Sequence, residues 1–145
     1  MSRRSSQSGV ALVEVLVVFF ILGVGLLGIA ALQTKSIQYN QSAYIRSQAN
    51  VAAYAILDSM RVNSANLSSY AIALGGSATG GTVAGDDLVA WKSFLSTTLP
   101  SGDGSVSCDG SNVCIVTVIW MDRVAGVMTQ ANTNYPPLTV VSQIK

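Results

Sequence analysis

Histidine is absent from the 145 residues, cysteine occurs twice, proline three times, and only 10% of the chain is charged. Each shortage removes a class of function. Without an imidazole, proton transfer near neutral pH would need an Asp, Glu, Lys or Cys with a strongly shifted pKa. Cys108 and Cys114 are too few for a thiolate zinc site, and their spacing is not that of a CxxC redox pair. The charged fraction falls well below the ~25% of ordinary soluble domains. Net charge is +1, and with Arg3 and Arg4 set aside six basic residues face seven acidic ones, so nucleic-acid binding loses its electrostatic warrant. No nucleophile motif, metal-ligand cluster or phosphate loop stands in a suitable context, so neither an enzyme nor a cofactor or metal is expected.

What the chain does have is one long apolar run. From Val10 to Leu32 the only charge is Glu14, and these 23 residues are enough to span a ~30 Å hydrocarbon core. An ionised side chain deep in a bilayer costs ~2.5 kcal/mol or more, so an acid kept there needs a partner. Three readings compete. A secretory signal peptide would carry a shorter apolar stretch of ~7 to 15 residues ending at a small-residue cleavage site. A plain anchor, its leader held in the cytoplasm by Arg3 and Arg4, fits the length and leaves Glu14 unexplained. In the third, a peptidase cuts after Gly9 and leaves the run on the protein. Val10 then carries a new ammonium, which in one chain can neutralise Glu14 of another when helices pack side by side.

The same run contains Gly23-Val24-Gly25-Leu26-Leu27-Gly28, which spells a dinucleotide-binding fingerprint. Context removes it: no strand precedes it, and Gln48 stands where the ribose-binding acid belongs. The glycines either soften the helix, at ~1 kcal/mol each relative to alanine in water, or allow close helix packing.

The segment Ser8-Gly9-Val10-Ala11-Leu12-Val13-Glu14-Val15 resembles the start of type IV prepilins: a short basic leader, a glycine, then an apolar helix with glutamate at its fifth position. The resemblance implies cleavage between Gly9 and Val10 by a prepilin peptidase, N-methylation of Val10 by the same enzyme, and an assembly-register role for Glu14. Chains of that family usually begin with Phe or Met after the cut; Val10 stands there here. Further on, Arg46-Ser47-Gln48-Ala49, Asp58-Ser59-Met60-Arg61-Val62-Asn63, Asp87 with Trp91, Leu99-Pro100-Ser101-Gly102-Asp103-Gly104 and Val118-Ile119-Trp120 are similar to minor pilins of the PilV type, the type IV pilus modification proteins. Ser59 departs from that group's pattern, where Arg is expected.

This resemblance implies an α+β, pilin-like fold: a long N-terminal helix whose first half spans the membrane, packed on a small antiparallel sheet. It divides the chain into a leader (1–9), a transmembrane and assembly half-helix (10–32), an amphipathic half-helix (33–63) and a globular head (64–145). The implied function is a minor pilin that primes pilus assembly or forms its tip, supporting twitching motility, adhesion or DNA uptake. Implied partners are the prepilin peptidase, other minor pilins, the major pilin, the inner-membrane assembly platform and the lipid bilayer. Before assembly the subunit would sit in the inner membrane as a single pass with a periplasmic head; afterwards it would belong to the pilus at the cell surface. A minor pseudopilin of a type II secretion system shares this N-terminus and stays open as the alternative, as does a membrane-tethered adhesin.

Beyond Leu32 the residues predict a second amphipathic half and a mixed head. Ile45, Ala49, Ala52, Ile56 and Met60 recur at helical spacing and should pack on a sheet, the helix running to about Val62 before the Asn63-Ser64-Ala65-Asn66 cluster. Such a helix would be roughly 80 Å long. Asp58 and Arg61 read as a solvated helix-end pair rather than a site. Residues 75–85 read as a flexible glycine-rich loop, and Asp86 with Asp87 as the cap of a helix presenting Leu88, Trp91 and Leu95 to the core and closed by Pro100. A calcium loop is not expected there, since no oxygen-rich ligand pattern follows. Val113 to Trp120 is the strongest strand, and its two mostly apolar faces predict a central position. A turn at 121–126 precedes Val127, and Leu138 to Gln143 forms a last strand after Pro136 and Pro137. With an export-type N-terminus, Cys108 and Cys114 read as one disulfide flanking the turn Asp109-Gly110-Ser111-Asn112.

Overall fold

The computed structural model describes residues 8–121 and 138–145, with side chains described from Leu12 onward. The chain forms two compact units, Met1–Asn40 and Gln41–Lys145. Helix α1 runs over Ser8–Val62. Its persistence has a simple origin: no proline occurs before Pro100, and Ala43, Ala49, Ala52, Ala53 and Ala55 supply the best helix-forming residue. It stops at the Asn63 cluster, where a 3₁₀ helix takes over from Ser64 to Tyr70.

Among the described residues of the first unit, the apolar surface is left uncovered. Each large apolar side chain from Leu12 to Leu32 is 47% to 73% exposed. Among the described residues this is the one helix long and apolar enough to cross a membrane, with a mean hydropathy of 2.9 over its best window.

The second unit is a helix-and-sheet head. The expected face of α1 is buried in full: Ile45, Ala49, Ala52, Ile56 and Met60 join one core with Leu88, Trp91 and Leu95 of α2 (Val83–Thr98) and with Val106, Val116 and Val118 of the sheet. The buried stripe is wider than the five residues suggest, for Ala53 and Leu57 lie in it as well. The sheet is antiparallel in the order β1-β2-β3, with β1 at Asp103–Cys108, β2 at Val113–Ile119 and β3 at Leu138–Gln143. β2 is central, and its Cys114, Val116 and Val118 form the core side while Ile115 stays exposed on the other. The last strand has the expected bounds. The β1 segment, Asp-Gly-Ser-Val-Ser-Cys, carries only one large apolar residue and gives no strand signal of its own; pairing with β2 makes it a strand. The expected turn before Val127 and the two prolines of 136–137 lie outside the described residues.

Two local expectations are corrected. Asp86 and Asp87 do not cap α2: the helix starts three residues earlier, and Thr82 is the cap, its hydroxyl accepting from Gly85 N–H at 3.1 Å. Asp86 instead sits in the first turn and accepts from Gly81 N–H at 3.0 Å, which suits the positive end of the helix. The glycine-rich loop is correspondingly shorter, since Val83, Ala84 and Gly85 are helical. Gly85 is required at that point, because a Cβ there would lie 2.2 Å from the Thr79 carbonyl. Backbone pairing between Ile72 and Val106 and a bond from Gly75 N–H to the Asp103 carboxylate tie the start of the loop to β1.

Candidate assembly site

The assembly residues expected from the sequence all fall in the first two turns of α1. Gly9 and Val10 are helical, and Glu14 follows Val10 by four residues. Four residues is about one turn of helix, so the two positions share a face. Glu14 is exposed among Leu12, Val13, Val15, Leu16, Val17 and Val18, each exposed as well. Among the described residues no cation pairs with it. The chemistry is that of a lone carboxylate on a hydrophobic rod.

In the head, several polar contacts bind one element to another. Trp91 is buried, as expected of a core residue, and its Nε1–H donates to the Ala52 carbonyl of α1 at 2.9 Å. Gly104 makes room for that ring, because a Cβ there would lie 2.5 Å from Cη2 of Trp91. Tyr70, fully buried, donates its hydroxyl to Asp87 Oδ2 at 2.6 Å, joining the 3₁₀ helix to α2. Burial above all, and then the hydrogen bond to Asp87, push the Tyr70 pKa up. This contact assigns Asp87 a role that its sequence position does not disclose, as the partner lies 17 residues upstream.

A second tie joins α2 to β1. Lys92 Nζ donates to Asp103 Oδ1 at 2.5 Å, while Asp103 Oδ2 accepts from Gly75 N–H at 2.6 Å. Burial by itself would raise the Asp103 pKa, but bonds from Lys92 and from the Gly75 and Gly104 amides outweigh it and hold the carboxyl below its ordinary value. No pairing of either residue is expected from the sequence, where Asp103 enters only as part of the Leu99–Gly104 segment. Asp58 and Arg61 form the exposed pair expected at the end of α1, and Arg61 also donates to Ser142 Oγ at 3.1 Å. Such a contact contributes little, typically well under ~1 kcal/mol.

Cys108 and Cys114 are joined by a disulfide across the β1–β2 hairpin. They are direct partners in the strand register, and Asp109 organises the turn between them by accepting from the N–H groups of Ser111 and Val113 at 2.8 and 2.9 Å. Among the described residues no group of three or more His, Cys, Asp or Glu is placed to hold a metal ion.

One family description, "Prokaryotic N-terminal methylation motif", matches residues 4–30. No curated protein and no solved structure matches the chain. The matched stretch covers Gly9, Val10, Glu14 and most of the apolar run, and implies processing by a prepilin peptidase and assembly with other pilins. With the exposed apolar helix it is consistent with a membrane-anchored pilin. The motif, together with the long helix and small antiparallel sheet, supports placing this chain among the type IV pilins and pseudopilins.

Proposed function

We infer that this chain is a minor pilin of a type IV pilus, cut between Gly9 and Val10, methylated at Val10 and added to a helical bundle of other pilins through α1. The observation that carries the reading is Glu14: one acid in an exposed apolar helix, four residues beyond Val10, inside a matched methylation motif. Cleavage leaves Val10 with an ammonium, and an incoming chain's ammonium compensates the Glu14 carboxylate of a neighbour. Apolar burial is non-directional and drives the helices together; the charge pair selects their axial register. Such addition is head-to-tail, so it builds a fibre rather than a closed ring. The inner membrane holds the subunit until an assembly platform extracts it, and the head follows to the pilus tip, where it would bear on twitching, adhesion or DNA uptake. Similarity of the head segments to PilV-type minor pilins supports the pilus over a secretion pseudopilus.

Gly9 and Val10 are both helical, so the scissile bond lies in a helical turn that must open for a peptidase to reach it. The test is the N-terminus of protein co-expressed with a prepilin peptidase: Val10, carrying one additional methyl group, is expected, and an intact Met1 would overturn the reading. A deletion strain that loses surface pili separates the pilus from the secretion pseudopilus, whose loss would block export of folded proteins and spare the pili.

A further inference from the structure

The Cys108–Cys114 bridge closes the turn on which the end of the chain is seated. Asn112 in that turn has φ of 59°, a left-handed conformation that asparagine tolerates better than most residues with a side chain. The C-terminal residues bond to this turn: Ile144 N–H donates to the Asn112 carbonyl at 2.9 Å, and Gln143 Nε2 donates to the Ser111 carbonyl at 3.4 Å. Ile144 is only 1% exposed and belongs to the core. A tightly closed turn therefore supplies two of its carbonyls to the last residue of β3 and the residue after it, and anchors a core side chain in doing so.

The geometry points to a redox-dependent clamp on the C-terminus. With the disulfide closed, the turn has few conformations to lose and presents the Ser111 and Asn112 carbonyls for docking; with it open, the turn samples others and Gln143 and Ile144 come away, while the β1–β2 ladder persists. Oxidation removes two electrons and two protons from the thiols and passes them to the disulfide of a thiol–disulfide exchange partner in an oxidising compartment. Reduction runs in reverse and has one accessible entry. Cys114 is fully buried and Cys108 only partly so, so a reductant thiolate attacks Cys108 Sγ and Cys114 leaves as thiolate. A second thiol of the reductant then displaces the Cys108 thiolate from the mixed disulfide. The clamp would thus make the seating of Gln143 and Ile144 on the head conditional on arrival in an oxidising compartment, independently of whether the chain assembles into a pilus.

Amide hydrogen exchange on the full chain in detergent micelles, with and without dithiothreitol, tests this. On reduction the Ile144 amide should exchange at least about tenfold faster while Val116 in the centre of β2 keeps its protection. The double variant Cys108→Ser/Cys114→Ser should reproduce the reduced pattern, and Asp109→Ala with the disulfide intact should retain Ile144 protection. Unchanged Ile144 exchange on reduction would overturn the clamp, showing that the Asp109 bonds suffice to shape the turn. Equal loss at Ile144 and Val116 would also overturn it, making the bridge a staple of the whole head.

Discussion

Leu27 and Leu57 are the same amino acid on the same helix, yet Leu27 is 73% exposed and Leu57 is fully buried. Propensity and side-chain hydrophobicity are equal, so the difference lies in what the chain offers as a partner. Leu57 shares one core with side chains of α2, the 3₁₀ helix and the sheet; among the described residues nothing covers Leu27. An apolar surface of that extent is not left to water. The head closes its own core, and the first unit waits for lipid or for the helices of other subunits. Two kinds of energetics follow: the head's stability is a property of the chain, while that of the first unit belongs to its surroundings.

The largest expected effect tests the self-sufficiency of the head. Trp91→Ala removes a core side chain together with its bond to the Ala52 carbonyl, so it should cost the head roughly 3–5 kcal/mol in a denaturant melt. Membrane insertion of the apolar helix should be untouched, and a parallel loss of insertion would break the contrast between the two regions. Next in size, Glu14→Ala should leave head stability and peptidase cleavage unchanged and reduce incorporation into pili by roughly tenfold or more, the scale set by losing one partner of a desolvated charge pair at ~2 kcal/mol. Equal pilus yields in a complementation assay would remove the register role.

A smaller effect sharpens the description of the head. The Asp103 pKa is lower in the folded protein than in the unfolded chain, so its contribution is present above the unfolded value of ~3.9 and is lost as pH falls through the folded value. Asp103→Asn should therefore cost about 1–2 kcal/mol at neutral pH and narrow its deficit in acid. Melting temperature measured from pH 7 down to below 3 reads this directly, and parallel curves for the two proteins would mean that Lys92 and the Gly75 amide contribute nothing through this carboxylate.

Legibility from sequence followed the range of the interactions. The extent of α1 could be read because it rests on local facts: the missing prolines, alanine content and a polar cluster at Asn63. β2 and β3 could be read from their β-branched residues. β1 could not, since Ser105, Val106 and Ser107 take their strand conformation from Ile115, Val116 and Thr117 across the ladder. The start of α2 was misplaced for a related reason. Two acids look like a cap in isolation, but Thr82 holds that position, leaving Asp86 to bind Gly81 and Asp87 to receive the Tyr70 hydroxyl.

The chain by itself determined the apolar rod, its solitary acid, the glycine ahead of it and the periodic face that enters the head, because helix formation and hydrophobic patterning depend on neighbours within one or two turns. Folding in three dimensions decided the rest. Only there does Trp91 find the Ala52 carbonyl, Lys92 find Asp103, and the end of the chain find the Cys108–Cys114 turn. These pairings join residues far apart in sequence, and no local preference of either partner selects the other; the packing of α2 and the sheet against α1 does.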